Sequence, residues 1–315
     1  MADMNQENDD SGKIAVTARR HPQKLDLCCK TPQIKQKYSL IQIIKRNILI
    51  FTVCLLEKII NCKSLIKILK KIRNPPIMYV NLKIAIIPDG NRRFYKREYG
   101  KDFDMSVESN NLNSKKNKLL NESETKDVNL NEIFPDFKKQ DKADGKWHGS
   151  QTLLKIIKYL EKCDEITIYT YSLQNFQKRN EQELNYVFKL LESVNVSKLQ
   201  GKIRFIGRTW LLSEKQQDIL KKIENHSNNN SKYETKTANL LLCYSGLDEL
   251  AGKYNTKISK PDILIRTGYQ KRMSDFLIKH AANGVNINFV DCFWPELTEW
   301  HVFFIILKFM IEKHI

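Results

Sequence analysis

The pattern of apolar and polar positions divides the chain into three stretches. Residues 1–37 show no periodicity and read as a disordered tail. From Tyr38 to Arg73 apolar residues recur at helical spacing: Leu40, Ile41, Ile43 and Ile44, then Ile48–Leu56, then Ile59, Ile60, Leu65, Ile66, Ile68 and Leu69. The unbroken apolar run covers only Ile48–Leu56, bracketed by Lys45, Arg46, Glu57 and Lys58. A spanning helix needs about 20 apolar residues, so this is no convincing transmembrane segment. Lys63, Lys67, Lys70 and Lys71 form a basic stripe opposite the apolar one. A helix of this kind suits an anionic membrane surface. It suits equally well packing on its own domain or on a partner, with the basic face in solvent. Asn74-Pro75-Pro76 ends the pattern, because proline breaks the helical hydrogen-bond ladder. Residues 38–76 are therefore expected to be an amphipathic, membrane- or partner-associated helical segment.

From residue 77 onward, short apolar runs alternate with helical stretches. The runs are Leu82–Pro88, Ile166–Tyr171, Ile203–Gly207, Leu240–Tyr244, Ile263–Ile265 and Ile287–Val290. Helical pattern separates several of them, at Leu153–Lys162, Glu183–Leu191 and Leu211–Ile223. Buried strands alternating with helices predict an α/β fold: a single domain over 77–315 with a mostly parallel central sheet flanked by helices. Two segments break the rhythm, Lys101–Lys146 and His226–Lys236. Both are rich in Asn, Lys, Ser and acidic residues and read as disordered insertions.

Composition narrows the partners. With 53 Lys plus Arg against 36 Asp plus Glu, the formal charge is +17, which asks for nucleic acid, acidic lipid or a phosphorylated substrate. The basic residues are dispersed or clustered as lysines at 58–73, without interleaved aromatics for base stacking, so nucleic acid is set aside. At 41% apolar and 28% charged, the 315 residues are neither a polytopic membrane protein nor a wholly disordered chain. The seven cysteines include no Cys-x-x-Cys pair, which fits a thiol-reducing compartment. The polar, acidic N-terminus is no secretory signal.

In open parallel sheets ligands sit beyond the carboxyl ends of the strands. The first run ends in Pro88-Asp89-Gly90-Asn91-Arg92-Arg93. A strand feeding a Gly turn and a helix start presents backbone N–H groups to an anion, and two arginines add bidentate phosphate contacts. Asp89 would repel phosphate unless Mg²⁺ bridged the two. These six residues alone also suit an ordinary Asp-Gly turn flanked by surface arginines. The fifth run ends in Arg266-Thr267-Gly268, followed by Arg272, Ser274 and Asp275. Two Arg-bearing loops at strand ends would meet over one sheet edge and suit two phosphate groups.

On these motifs the chain resembles the cis-prenyltransferases, the family that makes undecaprenyl and dehydrodolichyl diphosphate. Ile84–Arg93, Tyr169–Phe176 and Pro261–Thr267 resemble three family signatures, with Arg272–Phe276 and Phe293-Trp294-Pro295-Glu296 following in family order. The resemblance implies an apolar tunnel for the growing chain, Mg²⁺ at Asp89, and an allylic primer such as farnesyl diphosphate cradled by Gly90, Asn91, Arg92 and Arg93. By the same resemblance Asn91 also assists proton removal, His148 bonds the diphosphate or relays a proton, and Ser172 and Asn175 help isopentenyl diphosphate react beside Phe176. Arg266, Arg272 and Ser274 grip the second diphosphate, and Arg179 fits best the arginine that follows the second signature, with Lys178 as substitute. The expected product is a long-chain polyprenyl diphosphate of dehydrodolichyl type for dolichol synthesis and protein glycosylation. The expected location is peripheral, on the cytosolic face of the endoplasmic reticulum membrane, held by residues 38–73.

Several positions depart from the family. Arg266-Thr267-Gly268-Tyr269-Gln270 loses the family's carboxylate, a metal-binding Glu of bacterial members falls on Asn286, and another usual Arg is Leu247. Glu249–Pro261 is far shorter than the expected helical segment. Residues Phe309–Ile315 carry no Arg-x-Gly tail of the kind that completes two-subunit sites. The resemblance therefore implies a homodimer, or a heterodimer with an accessory subunit bearing that tail; the alternative is a non-catalytic lipid- or partner-binding member. Deleting 38–73 is expected to release the protein from membranes while sparing turnover.

Overall fold

The computed structural model describes residues 40–76, 81–99, 145–179, 181–195, 201–230, 236–254 and 258–314. The expected tail at 1–37 and most of the insertion at 101–146 lie outside them. The compact body comprises Ile44–Ile315, and Leu40–Ile43 are the opening turn of the first helix.

Six strands form one parallel sheet: β1 (Lys83–Ile87), β2 (Glu165–Ser172), β3 (Lys202–Ile206), β4 (Thr237–Tyr244), β5 (Ile263–Arg266) and β6 (Asn286–Phe289). Their order is β3-β4-β2-β1-β5-β6, with every neighbouring pair parallel. Each strand overlays an apolar run of the sequence. The central runs read as continuous Ile, Leu and Ala because helices cover both faces, so no side of the strand needs polar residues. Ile84, Ala85, Ile86, Ile263, Leu264 and Ile265 are essentially inaccessible to solvent. Chain order runs from β1 outward to β2 on one side and returns later as β5 on the other. The carboxyl end of β1 is thus the crevice where ligands gather in such sheets.

The helices are α1 (Leu40–Ile60), α2 (Lys63–Ile72), α3 (Asn91–Tyr99), α4 (Gly145–Tyr159), α5 (Leu173–Lys178), α6 (Glu181–Ser193), α7 (Glu214–Asn230), α8 (Gly246–Leu250), α9 (Ile278–Ala281) and α10 (Glu299–Glu312). Three sequence expectations change. The 38–76 segment is two helices broken at Asn61-Cys62, and Arg73–Pro76 is not helical. Helix α4 already starts at Gly145, so the insertion cannot extend through Lys146. Helix α7 continues through Asn230, so His226–Asn230 is helical; the buried Ser227 hydroxyl accepts from the Ile203 N–H at 3.0 Å and docks that turn on β3.

Helices α1 and α2 are not a detachable appendage. Leu56, Ile60 and Ile66 are buried. Glu57 receives the buried Lys308 ammonium at 2.8 Å, and Trp300 donates to the Arg73 carbonyl at 2.8 Å. Burying three large aliphatic side chains contributes roughly 1.5–3 kcal/mol each, so deleting 38–73 removes core along with any membrane contact. The expectation that this deletion spares turnover is withdrawn. The outer part of α1 differs: Ile44, Ile48, Phe51 and Leu55 share one face and are 49%, 59%, 70% and 46% exposed. Among the described residues no helix is long and apolar enough to cross a membrane.

Candidate active site

The site is built at the carboxyl ends of β1 and β5. Register pairing sets Ile87 beside Arg266, so the residues after each strand emerge side by side. Asp89 follows β1, and its carboxylate takes two guanidinium contacts: Arg93 at 3.1 Å, one turn into α3, and Arg266 at 2.9 Å from β5. The two Arg-bearing loops therefore do meet over one sheet edge. Arg266 is almost fully buried, with a 4% exposed side chain, and Asp89 is 31% exposed. One Arg266 Nη donates to the Arg272 carbonyl and to Ser274 Oγ at 3.3 Å, which folds the second loop around it. Arg266 Nε is buried without a hydrogen-bond partner, as is Asn91 Oδ1. Unpaired buried polar atoms are costly, and these two lie in the loops that meet here: Arg266 bonds the Asp89 carboxylate and Asn91 follows Asp89 by two residues.

Thr267 locks the arrangement. Its buried hydroxyl accepts from the Asp89 N–H at 3.0 Å and donates to the Asp89 carbonyl at 2.8 Å. The Trp294 N–H donates to that same carbonyl at 3.0 Å, and the Gly268 N–H donates to the Cys292 carbonyl at 2.6 Å. Three loops are thus stitched backbone to backbone. Gly90 is required at φ +109°, where a Cβ would lie 2.7 Å from the Phe293 ring. Thr267 lay inside a quoted signature without a role, and its position between Arg266 and Gly268 was the signal available.

The remaining predicted residues fall at stated places around this centre. His148 lies in α4 with its ring edge-on to Phe94 at 5.8 Å, and the next residue, Gly149, packs so close that a Cβ would meet Asn91 Oδ1 at 2.4 Å. Ser172 ends β2, and its hydroxyl caps α5 by accepting from the Asn175 N–H at 2.9 Å. Phe176 packs against the cluster of Tyr171, Leu184 and Phe188. Arg179 pairs with Glu183 at 2.8 Å and lies 5.9 Å from the Tyr171 ring centre. Burial pushes the Tyr171 phenol up to about 12, with Glu183 adding to the shift and Arg179 and Arg92 opposing it. Arg92 is therefore within electrostatic reach of the β2 end, which brings the first and second signatures to one edge. Tyr169 donates to Asp275 at 2.7 Å, and burial, then Asp275, push its phenol upward, so it stays a protonated donor. That bond holds the loop in which Ser274 adopts a left-handed φ of 53°.

Asn286 does not belong to this site. It opens β6 in register with Ile263, at the amino ends of the strands, and donates to Glu312 at 2.6 Å. Leu247 is 64% exposed on α8, and Arg208 occupies that neighbourhood instead, paired with Asp248 at 2.6 Å.

No cluster of three or more His, Cys, Asp or Glu suited to a metal occurs among the described residues. One carboxylate amid arginines fits Mg²⁺, which is commonly held by one or two carboxylates together with substrate phosphates.

A parallel sheet whose central crevice brings one carboxylate, two guanidinium groups and three loops together is suited to binding a diphosphate. The family model for undecaprenyl diphosphate synthases matches residues 131–256 and 253–314. The chain is 32% identical over 244 residues to a dehydrodolichyl diphosphate synthase of Encephalitozoon cuniculi, covering 75% of this chain and 73% of that one. It is 27% identical over 183 residues to a geranylgeranyl-diphosphate-specific tritrans,polycis-undecaprenyl-diphosphate synthase of Sulfolobus acidocaldarius, covering 47% and 68%. Among solved structures, lavandulyl diphosphate synthase from Lavandula x intermedia, in complex with dimethylallyl diphosphate, aligns at a TM-score of 0.49 and 19% identity over 72% of this chain and 94% of that one. The chain belongs to the undecaprenyl diphosphate synthase family, the cis-prenyltransferases, and is a prenyl diphosphate synthase.

Proposed function

We propose that this enzyme condenses isopentenyl diphosphate onto an allylic primer such as farnesyl diphosphate to build a dehydrodolichyl-type polyprenyl diphosphate, for dolichol synthesis and protein glycosylation. The observation that carries this reading is the pair of buried, unpartnered atoms, Asn91 Oδ1 and Arg266 Nε, beside a carboxylate already gripped by two arginines. Asp89 would hold Mg²⁺ together with the primer diphosphate, and the metal would supply charge neutralisation for the leaving group.

The chain's own residues do the rest. Arg93, the α3 N–H groups and Gly90 orient the leaving diphosphate in line with the helix start, where positive dipole and guanidinium act together. Arg266, with Arg272 and Ser274, would hold the diphosphate of isopentenyl diphosphate so that its double bond faces the allylic carbon from which the primer's diphosphate departs. The C–O bond of the primer breaks, a C–C bond forms, and the proton lost in closing the cis double bond passes to a nearby acceptor. His148 would relay that proton, and Asn91 would assist its removal by hydrogen bonding. The partly buried Phe176 and Leu191, bordering the Tyr171–Phe188 cluster, offer an apolar lane for the growing chain.

The exposed face of Ile44, Ile48, Phe51 and Leu55, with the lysines of α2, supports peripheral attachment to the cytosolic face of the endoplasmic reticulum. An accessory subunit with an Arg-x-Gly tail would complete the second diphosphate loop, where Gln270 replaces a carboxylate; a homodimer is the other arrangement. The test is incorporation of labelled isopentenyl diphosphate onto farnesyl diphosphate by the full chain, with and without EDTA and a co-expressed Arg-x-Gly partner. Metal-dependent incorporation is expected. Complete silence in every arm would favour a non-catalytic lipid- or partner-binding role.

A further inference from the structure

The corner between α1 and α2 reaches the site from outside. Asn61 Oδ1 accepts from the Asp291 N–H at 2.9 Å, and the Lys63 ammonium stands 4.9 Å from the centre of the Tyr269 ring. Tyr269 follows the Arg266-Thr267-Gly268 turn at a left-handed φ of 59°, a conformation a bulky residue keeps only when its surroundings impose it. Its ring meets Phe293 edge-on at 5.0 Å. Phe293 in turn is the atom wall against Gly90, and carries Arg93 and Arg97 over its face at 5.6 and 5.0 Å. Glu296 closes the stack, accepting from the Phe293 N–H at 2.8 Å and from Arg97 at 2.9 Å.

We propose that the α1–α2 corner is a positioning element of the active site: Lys63, acting through Tyr269 and Phe293, sets the separation of the Asp89–Arg93 loop from the Arg266–Ser274 loop. This rests on the reading of those loops as the two diphosphate sites. The physical argument is that the Tyr269 ring is met by Phe293 from the neighbouring loop and by a cation from the N-terminal helices. The side chain of Tyr269, and behind it the Glu296 carboxylate, holds the Lys63 ammonium above its ordinary value against burial and Arg97, so the cation is fully charged at neutral pH. A cation near an aromatic ring is attracted by the ring's quadrupole. Because Gly268 and Cys292 are joined at 2.6 Å, a shift of Tyr269 moves both walls together.

Two readouts on the full chain test this. In the ligand-free protein, Lys63→Ala is expected to speed amide exchange at 267–271 and 290–294 by roughly threefold or more, with the melting temperature falling by no more than about 4 °C. In turnover, Lys63→Ala and Tyr269→Ala should each raise KM for the primer roughly three- to tenfold, the range that a contact of this strength allows, with kcat little altered. The double variant should be no worse than Tyr269→Ala alone, and Lys63→Arg should restore the wild-type KM. Unchanged exchange in those segments, or fully additive effects on KM, would overturn the proposal. If wild type transfers no prenyl group with any primer, the prenyl-transfer reading falls, and the exchange arm still decides whether the corner braces these loops.

Discussion

Two places at the carboxyl edge of the sheet hold the same residue types in opposite states. Beyond β3 and β4, Arg208 grips Asp248 with two bonds of 2.6 and 2.9 Å, Lys253 adds a third at 2.8 Å, and Tyr254 donates a fourth at 3.4 Å. Beside it Glu249 takes His280 at 2.8 Å and the Tyr244 hydroxyl. Every acceptor there is filled from within the chain. Beyond β1 and β5, Asp89 likewise meets two arginines, yet Arg266 Nε and Asn91 Oδ1 stay buried and unpartnered. The difference is saturation. An Arg–carboxylate pair whose valences are all internal is structural. One that leaves a buried donor and a buried acceptor open is a candidate ligand site, because unpaired buried polar atoms are costly.

The largest expected effects break that comparison cleanly. Asp89→Ala should cut Mg²⁺-dependent prenyl transfer per folded molecule by roughly 10²–10³-fold, the cost of losing one preorganised electrostatic group, beyond the stability lost by stranding the buried Arg266. Asp248→Ala should act on stability alone. It strands Arg208 and Lys253 without their acceptor and is expected to cost roughly 1–3 kcal/mol of stability, with turnover per folded molecule preserved. Denaturant unfolding alongside a transfer assay checks both. Equal loss of activity in the two variants would remove the distinction between the saturated and the open pair.

Much of this was legible in the sequence because parallel strands must be apolar on both faces. All six runs became strands, and the residues after the first and fifth, Asp89 and Arg266, proved to be in contact. The limits are equally physical. Thr267 and Phe293 act through backbone hydrogen bonds and ring contacts between segments far apart in the chain, which no periodicity records. Asn286 was placed near metal chemistry by motif alignment alone, whereas register sets it at the amino end of β6. The Asn-rich end of α7 looked disordered because propensity was read without the tertiary bond from Ser227 to β3. Lys63 looked like one of several lysines on a stripe, and only the fold singles it out.

A middle-sized effect sharpens the comparison from inside the site. Thr267→Val keeps the side chain's volume and removes both bonds to the Asp89 backbone. Asp89 keeps its two arginines, so the charges are unchanged and only their placement loosens. Turnover should fall roughly tenfold, a loss of about 1.4 kcal/mol in transition-state stabilisation. If Thr267→Val matches wild type in kcat and KM, the hydroxyl clamp is packing and the loops hold themselves.

The smallest effect reads the structural side of the comparison through pH. His301 is buried, its Nδ1 accepting from the Thr298 N–H at 3.0 Å, and burial pushes the imidazole from 6.5 down to about 4. Asp248 is held down from 3.8 to about 2, by Arg208 first and Lys253 after it, with burial opposing. Both folded values lie below the unfolded ones, so in each window the unfolded chain binds the extra proton and stability falls as pH falls. The melting temperature should decline first between pH 6.5 and about 4, through His301, and again between 3.8 and about 2, through Asp248. His301→Gln should flatten the upper step and Asp248→Asn the lower one, while neither alters turnover per folded molecule at neutral pH. A lower step that survives Asp248→Asn would mean that the Arg208 pair is not what holds the β3–β4 edge together in acid, and the saturated half of the comparison would lose its physical basis.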